Sequence, residues 1–509
     1  MTNQEQVIAD IAREVVARLR AQMQQPSSAA SPTNGSANAG AATERKGARF
    51  IDVAQTKRPA AGGSATIGDG VFATVDEAAN AAAKAQLRVA EMSLEERGKM
   101  IAIIRRICND RREELGRMEL EETKVGRLDH KILKLEAIRS VLGVEAMRSD
   151  ARSDRSGLCV IERAPWGVIG MVLPVTHSVP TMAGNAINVL AGGNTALFAP
   201  HPSAKRVAQY ALRLFNREIE RECGVANALT TIAEPSIEAA EQIFQHPKVA
   251  LLCVTGGPMV VKAAMKHGKR VIAAGPGNPP VVVDETADFD AAAKAIIEGG
   301  GFDNNLLCIG EKEIFVVASV AREFIEAMRR AGAFELDKAA IERLTKAAFT
   351  FDGDGKGCVR AHVKKELVGK DVAVLAAAAG VTVPSNTQLL FGETDENHAF
   401  VVEEQMMPFI PVVRVKDVDA AIAASLKAEH GYRHTALIHS RNVENVTRMA
   451  RAMNTTLFVC NAASPAALGL NGPGYLSYSI ATPTGEGVTT PLTFTRERQL
   501  SMGHALRII

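Results

Sequence analysis

Residues 168–198, VIGMVLPVTHSVPTMAGNAINVLAGGNTALF, predict a strand, a helix and a second strand in succession. Positions 168–173 and 195–198 are short runs rich in β-branched and other apolar residues, as expected of buried strands. Positions 181–190 between them have the length of a helix. Strands that alternate with helices of this length are typical of a parallel sheet covered on both faces. This stretch therefore predicts a doubly wound α/β fold.

The same alternation extends in both directions along the chain. Further strands are predicted at residues 229–232, 249–254, 280–283 and 313–317. Further helices are predicted at residues 77–90, 95–118, 203–215, 237–244, 258–266, 289–298 and 321–331. The length suffices for two α/β domains, which we place at residues 50–276 and 277–459. Residues 460–509 are expected to return to the first domain and to carry a small oligomerisation segment.

Composition excludes several classes of protein. Of the 509 residues, 47% are hydrophobic and 23% are charged, which is typical of a globular protein and excludes a disordered or fibrous chain. The 59 Lys and Arg residues nearly balance the 57 Asp and Glu residues, so the net charge is only +2. We therefore expect neither a nucleic-acid nor a membrane partner. Seven scattered cysteines without a CxxC pair are typical of a reducing, cytoplasmic compartment.

The first 49 residues differ from the rest of the chain. Ile8, Ile11 and Val15 follow one another at steps of three and four, which predicts an amphipathic helix over residues 1–22. Residues 23–49 are rich in Pro, Ser, Ala and Gly, and we interpret them as a disordered linker. A tethered helix with an apolar stripe is typical of a peptide that docks in a groove of a partner. The alternative is a helix that folds back on its own chain or pairs within an oligomer.

Two strand-to-helix turns are candidates for phosphate binding. Thr255, Gly256 and Gly257 stand where a predicted strand passes into a helix, and glycine lets a phosphate approach the backbone at a helix N-terminus. Pro200 and His201 follow the end of another predicted strand. The usual dinucleotide fingerprint, GxGxxG after the first strand, is absent. Each turn also has a purely structural interpretation.

Cys308 is the candidate reactive group. It lies in residues 299–310, GGGFDNNLLCIG, between a predicted helix and a predicted strand, where a thiol can be partly exposed and its thiolate stabilised. Cys253 and Cys460 lie in apolar runs and are expected to be buried and inert. The acidic turn at 352–357 lacks the ligands of a calcium loop, and HExxH, GxSxG and GxxxxGK[ST] motifs are absent. No metal site is predicted.

Nine segments, in the same order along the chain, resemble the aldehyde dehydrogenase superfamily. Within it they are most similar to the CoA-acylating propionaldehyde and acetaldehyde dehydrogenases of bacterial microcompartments, from about Phe72 to the C-terminus. The segments are ETKVGR (122–127), APWGVIG (164–170), LAGGNT (190–195), PHP (200–202), AGPGN (274–278), DNNLLC (303–308), EQMMP (404–408), HTA (434–436) and PTGEG (483–487). The resemblance implies a Rossmann-like NAD domain, a catalytic domain and a small oligomerisation segment.

The resemblance implies that Cys308 is the nucleophile, that a hydride passes from the aldehyde to NAD, and that an acyl thioester forms on the sulfur. Hydrolytic relatives activate water with a glutamate, whereas this chain has Ala274 at that position, which accepts no proton. CoA is therefore the expected acyl acceptor. The alternatives are a hydrolytic, CoA-independent aldehyde dehydrogenase, an enzyme acting on an acyl phosphate, and a non-enzymatic assembly protein.

The resemblance also implies residues that bind NAD. It places Thr255, Gly256 and Gly257 at the pyrophosphate, Gly275 near the nicotinamide and Glu404 on a ribose.

The segment at Pro200 and His201 lacks the Lys and Glu with which hydrolytic relatives hold the adenosine ribose. Without that carboxylate, the 3′-phosphate of CoA meets less repulsion, so we expect CoA to use the same cleft after NADH leaves. The choice between NAD and NADP stays open.

The oxyanion donors implied by the family are the Cys308 N–H and a side chain from the loop after the first strand of the NAD domain. Acylating relatives often have Thr-Asn-Pro there, whereas this chain has Thr176, His177 and Ser178. Ser178 is our candidate donor. His177 is either a group that orients the substrate or an ordinary loop residue.

The leader at residues 1–22 resembles the encapsulation peptides of microcompartment cargo enzymes. This implies a shell protein as partner and a location in the cytoplasm, inside a bacterial microcompartment. The family further implies a homo-oligomer, a dimer or a tetramer, and residues 492–495 are the candidate pairing segment. The expected substrate is a small aldehyde, propionaldehyde or acetaldehyde, of open chain length.

Overall fold

The structure, a computed structural model, describes residues 67–353, 359–470 and 472–506. The predicted leader helix at 1–22, the linker at 23–49 and most of the acidic turn at 352–357 lie outside the described residues. The described chain is built on two parallel sheets and three small antiparallel sheets, which confirms the predicted α/β fold. Within these residues we find no helix that is both long and apolar enough to span a bilayer.

The first sheet has six parallel strands. Their order across the sheet is Val71–Phe72, Leu229–Ile232, Thr195–Ala199, Val168–Val172, Val249–Thr255 and Arg270–Ala274. The chain moves outward from Val168–Val172 on one side, then returns to add Val249–Thr255 on the other. Such a switch point opens a crevice at the carboxyl ends of the strands, where α/β sheets bind ligands.

The helices of this half cover the first sheet. They are Val75–Glu91, Leu94–Asp110, Arg112–Thr123, Leu128–Glu136, Ser178–Ala191, Lys205–Cys223, Ile237–Gln245 and Pro258–Ala264. The single helix predicted at 95–118 is two helices, because the backbone leaves helical geometry at Arg111 (φ −106°, ψ 15°). Ser93 starts the first of them with a capping box to Glu96.

The second sheet has seven parallel strands. Their order is Phe334–Glu335, Leu390–Glu393, Phe409–Val415, Glu313–Val317, Pro280–Val283, Thr435–His439 and Leu457–Cys460. Its helices are Phe289–Gly301, Ala321–Arg330, Lys338–Ala348, Val372–Ala379, Ala399–Val402, Val418–Ala428 and Val443–Met453. Residues 275–279 carry the chain from the carboxyl edge of the first sheet to the amino edge of the second.

A three-stranded antiparallel sheet stands apart from both. It pairs Asp150–Asp154 with Gly157–Pro165, and Gly157–Pro165 with Thr495–Gly503. The pairing segment predicted at 492–495 is misplaced, since Pro491–Phe494 is a 3-10 helix and the strand starts at Thr495. The strand Thr495–Gly503 is mostly polar. A search for apolar residues therefore points to the short run that precedes it. Two strand pairs, Phe349–Gly353 with Val359–Val363 and Ile480–Ala481 with Gly487–Val488, complete the described sheets.

The two large sheets meet at one junction. Leu307 and Ile309, just before the strand Glu313–Val317, are buried in the hydrophobic core that covers the first sheet. Strand ends from both halves of the molecule therefore line the same region.

Candidate active site

Cys308 lies at this junction, between the helix Phe289–Gly301 and the strand Glu313–Val317. Its side chain is half-buried and packs against the core of the first sheet. Cys253 is fully buried, whereas Cys460 is exposed because it ends a strand at the edge of its sheet, contrary to the prediction of burial. Cys308 is thus placed where a reactive thiol needs to be, at a boundary between core and solvent.

The backbone before the thiol, residues 302–308, is here called the cysteine turn. Asp303, Asn304 and Asn305 have consecutive positive φ angles of 49°, 58° and 63°. Asp and Asn are the non-glycine residues that adopt this left-handed conformation most readily. The Asp-Asn-Asn sequence therefore makes the turn possible, and hydrogen bonds to both halves of the molecule hold it.

Asp303 ties the cysteine turn to the first half. Its carboxylate lies 2.5 Å from Lys134 Nζ and accepts the backbone N–H of Arg127 at 2.8 Å. Lys134 Nζ also donates to the carbonyl of Thr176 at 3.2 Å. The side chains of Asp303 and Lys134 are fully buried. Lys134 therefore connects the cysteine turn with the loop that precedes Ser178.

Lys312 holds the same turn from the second sheet. Its Nζ donates to the carbonyl oxygens of Asn305, at 2.9 Å, and Leu307, at 3.1 Å, and to the Asn305 side-chain oxygen. Asn305 Nδ2 donates in return to the carbonyl of Glu311 at 2.7 Å. The turn is thus fixed from both sides.

Gly277 is packed tightly against Cys308. A Cβ at position 277 would lie 2.5 Å from the carbonyl oxygen of Cys308 and 2.9 Å from the ring of His434. The Gly277 N–H points to Glu404 Oε1 at 3.5 Å, a long contact. Cys308, His434 and Glu404 therefore converge on one position that has room only for glycine.

Burial dominates the electrostatics around the thiol. Burial, followed by the Glu404 carboxylate, raises the pKa of Cys308 to about 12, while Lys312 lowers it. Burial also raises the pKa of Glu404 to about 7, again opposed by Lys312. A thiolate therefore needs positive charge or hydrogen bonds beside it to form at neutral pH.

His434 is the neutral ring of the site. It is fully buried, and its Nδ1 lies 2.8 Å from Thr435 Oγ1. Burial, and then the charge of Lys312, lowers the pKa of His434 to about 4. Its Nε2 has no hydrogen-bond partner among the described residues. The imidazole thus keeps one ring nitrogen available beside the cysteine turn.

Ser178 and His177 lie at the switch point of the first sheet. Ser178 begins the helix Ser178–Ala191, and its buried Oγ has no partner within the described part of the chain. His177 Nδ1 lies 2.8 Å from Thr176 Oγ1, and its ring lies 5.5 Å from that of Tyr478. Ser178 is therefore the residue of this loop that retains a free hydroxyl.

The candidate phosphate turn follows the neighbouring strand. Thr255 Oγ1 lies 2.7 Å from Ser479 Oγ, and the Gly256 N–H donates to the carbonyl of Ala274 at 3.1 Å. A Cβ at Gly257 would meet nothing within 4 Å. Open backbone at the carboxyl edge of the central strands fits the phosphates of a dinucleotide.

The remaining candidates lie at the same edge of the first sheet. Pro200 follows the strand Thr195–Ala199, and His201 caps a 3-10 helix by accepting the Ser203 N–H on Nδ1 at 3.1 Å. A Cβ at Gly275 would lie 2.9 Å from Pro483, so this glycine allows a close approach of the C-terminal segment.

Sequence reasoning overlooked Lys312. It belongs to the run Glu311, Lys312 and Glu313, which has the composition of an exposed surface, yet all three side chains are fully buried. The position of the run could have indicated its burial, because the run leads into a strand whose later residues are all apolar.

Residues 8–348 match the model of the aldehyde dehydrogenase family. The chain is 45% identical over 443 residues to the acetylating acetaldehyde dehydrogenase of Salmonella typhimurium, which covers 86% of this chain and 94% of that protein.

Two solved structures are also similar. A propionaldehyde dehydrogenase from the fucose utilisation microcompartment of Clostridium phytofermentans superposes with a TM-score of 0.83 at 40% identity, covering 87% of this chain and all of that one. The Rhodopseudomonas palustris propionaldehyde dehydrogenase with bound propionyl-CoA gives 0.82 at 41% identity, covering 86% and 96%.

Proposed function

The chain belongs to the aldehyde dehydrogenase family, within its CoA-acylating branch, and from this premise we propose that it oxidises acetaldehyde or propionaldehyde to the acyl-CoA. The observation that supports this most directly is the position of Cys308. Its thiol is half-buried, stands on a turn fixed by both halves of the molecule, and lies beside the crevice of the first sheet.

The chemistry begins at the Cys308 sulfur. The thiolate adds to the carbonyl carbon of the aldehyde, and the carbonyl oxygen becomes the oxyanion of a hemithioacetal. Loss of a hydride from this carbon restores the carbonyl and leaves an acyl thioester on Cys308. The CoA thiolate then adds to the thioester and displaces the Cys308 thiolate. Aldehyde, NAD and CoA thus give acyl-CoA, NADH and one proton.

NAD, when bound, accepts the hydride. Thr255, Gly256 and Gly257 would hold its pyrophosphate, Gly275 would lie near the nicotinamide, and Glu404 would accept a ribose hydroxyl. The open backbone at Gly257 supports this assignment.

CoA would enter the same crevice, past Pro200 and His201. Competition between CoA and NAD in steady-state kinetics is the expected result, and strictly noncompetitive inhibition would argue against a shared cleft.

Two groups are proposed to stabilise the oxyanion. The Cys308 N–H is one, and the Ser178 hydroxyl is the other, supported by its burial without a partner among the described residues. Removal of one such donor costs roughly 100-fold to 1,000-fold in kcat. Ser178→Ala should therefore lower kcat by about that factor.

CoA is the proposed acyl acceptor because Ala274 offers no base for water. The test is the reaction of the full-length protein with propionaldehyde and NAD, with and without CoA, with Cys308→Ala as control. We expect sustained NADH formation only with CoA and none in the variant. Equal turnover without CoA would refute the acylating reaction.

Glu404 supports a second candidate function, hydrolysis of the thioester. Its pKa, raised by burial to about 7, suits a general base, and it lies close enough to Cys308 to affect the thiol. Turnover without CoA that Glu404→Gln abolishes, while the initial burst of NADH from acylation persists, would establish this alternative.

The proposal also covers the targeting role of the leader and the oligomeric state of the enzyme. Residues 1–22 would bind a microcompartment shell protein and direct the enzyme there. Deletion of residues 1–22 should preserve activity and abolish co-purification with shells. The enzyme is proposed to act as a dimer or tetramer joined through the three-stranded sheet.

A further inference from the structure

Lys312 is a buried cation that the mechanism above does not use. Its side chain is fully buried, and three oxygens surround Nζ: the carbonyl oxygens of Asn305 and Leu307 and the side-chain oxygen of Asn305. Three acceptors match the three hydrogens of an ammonium group, whereas a neutral amine would turn a lone pair toward one of them. The geometry therefore fits the protonated side chain.

This ammonium has no ion-pair partner among the residues that the structure describes. Lys131 and Lys134, the other fully buried lysines of the described chain, pair with Glu119 and Asp303. Within the described residues no carboxylate comes within 4.0 Å of Lys312 Nζ. A buried charge without a counter-ion is costly, so a functional reason for it is expected.

The nearby carboxyls do not supply a full negative charge. Burial raises the pKa of Glu311 and of Glu404 to about 7. Burial raises the pKa of Glu313 well above its ordinary value, and neither of its carboxyl oxygens has a hydrogen-bond partner in the described chain. Both observations favour the neutral form of Glu313. Burial lowers the pKa of Lys312 and the charge of Glu404 opposes this shift, so the protonated form of Lys312 is assigned from the three acceptors around Nζ.

The bond to Leu307 connects Lys312 to the reacting atoms. The Leu307 carbonyl and the Cys308 N–H belong to the same peptide group. An ammonium that binds the carbonyl withdraws electron density from this group and makes its N–H a stronger donor. The same positive charge favours a thiolate on Cys308.

We propose that Lys312 is a positioning residue that stabilises negative charge at Cys308, on the sulfur before attack and on the oxyanion bound by the Cys308 N–H. This inference rests on the proposed function, since it presupposes Cys308 as nucleophile. No carboxylate of the described residues pairs with Lys312. The negative charge that would pair with it is the one that forms at Cys308 during the reaction.

The ionisable groups around Cys308 and Lys312 determine the pH range of the test. Glu404 faces both Cys308 and Lys312, and its ionisation opposes the thiolate. His434, which directly precedes the strand Thr435–His439, is neutral because burial lowers its pKa to about 4. The thiol is therefore best titrated above about pH 8, where Glu404, with its pKa of about 7, is almost fully ionised and contributes a nearly constant effect.

The experiment measures the alkylation rate of Cys308 by iodoacetamide against pH in the full-length protein, with Cys308→Ala as blank. Lys312→Met should raise the midpoint of the thiol titration by about one unit or more. It should also lower kcat about tenfold to 100-fold with little change in the KM for aldehyde. Lys312→Arg, which keeps the charge, should restore most of both.

Glu313→Gln is the matched control. It alters an equally buried side chain in the same run but replaces a neutral carboxyl with a neutral amide, so the thiol midpoint should not move. An unchanged midpoint in Lys312→Met would overturn the inference. Equal shifts in Lys312→Met and Lys312→Arg would do the same, because they would assign the effect to packing.

Two further measurements distinguish a misfolded variant, a wrong inference about Lys312 and a wrong proposed function. If Lys312→Met does not fold, Lys312→Gln decides instead, because it removes the charge but keeps a hydrogen-bond donor. An unchanged thiol midpoint in Lys312→Gln would overturn the inference. CoA-dependent NADH formation by the unmodified enzyme is measured in parallel, and its absence would refute the proposed function itself.

Discussion

Two glycines near the proposed reaction centre differ in their surroundings. A methyl group at position 277 would press on the carbonyl of Cys308, whereas one at position 257 would meet open space. We expect Gly277→Ala to displace the cysteine turn and to lower kcat by about 100-fold, the order of loss for a misplacement of about 1 Å. The measurement is steady-state NADH formation with saturating propionaldehyde, NAD and CoA.

Gly257→Ala is its counterpart. It should leave the free energy of unfolding within about 0.5 kcal/mol of the wild type. It should raise the KM for NAD, because the added methyl group occupies the space that a phosphate needs. An unchanged KM for NAD would remove this turn from the nucleotide site.

Glu404 gives a prediction of pH dependence. Burial raises the pKa of Glu404 from 4.5 to about 7, so its contribution to stability is complete below about pH 4.5 and is lost as the pH rises through 7. Glu404→Gln cannot ionise. Its stability relative to the wild type should therefore increase from pH 5 to pH 8 by about 2.5 kcal/mol. Urea unfolding of both proteins at the two pH values tests this, and a constant difference would contradict the raised pKa.

At the scale of elements, the cysteine turn depends on left-handed backbone. Asn304 has a φ of 58°, and its Nδ2 donates to the carbonyl of Gly369 at 3.0 Å and to Asp371 Oδ1 at 2.8 Å. Asn304→Ala and Asn304→Gly lose the same hydrogen bonds, but only alanine resists the conformation, at about 1–2 kcal/mol. We expect the glycine variant to be the more stable of the two by about 1 kcal/mol in urea unfolding. Equal stabilities would mean that the turn rearranges.

Six of the thirteen parallel strands were predicted from the sequence, as short apolar runs buried on both faces. The run predicted at 249–254 is the strand Val249–Thr255, and the strand Glu313–Val317 has the predicted bounds. The strand Asp150–Asp154 was missed, since all five of its side chains are exposed and its residues follow no apolar period.

The features of the site likewise divide into those that the sequence predicts and those that it does not. The position of Cys308 and the open backbone at Gly257 agree with what a loop cysteine and a glycine-rich turn suggest. The contacts of Lys312 and Lys134 could not be predicted, because each joins groups that only the tertiary fold brings together. Charge runs in a sequence do not reveal which ammonium groups are buried.

At the scale of the whole molecule, no layer of the described residues covers the outer side of the three-stranded sheet. All side chains of Asp150–Asp154 are exposed, and Leu500 in Thr495–Gly503 is 55% exposed. A small sheet without a buried face is not stable in water by itself, so a second copy of the chain is expected to cover it. Leu500→Glu should therefore reduce the mass measured by light scattering toward that of a monomer.

The control for this prediction is Leu87→Glu. Leu87 is 68% exposed on the helix Val75–Glu91, which packs against strands of the first sheet. Its substitution should leave the mass unchanged. Equal effects of the two substitutions would show that added charge, rather than this sheet, disrupts the assembly.

The bond between Thr255 and Ser479 spans 224 positions of the chain, and the Ala273 N–H donates to Thr484 Oγ1 at 3.0 Å. The carboxyl edge of the first sheet is therefore completed by residues that are synthesised late. While the protein is still on the ribosome, the strands of the first sheet can pair, but their crevice lacks the segment that closes it. A nascent chain thus cannot complete the proposed nucleotide site until residues 479–484 have been translated.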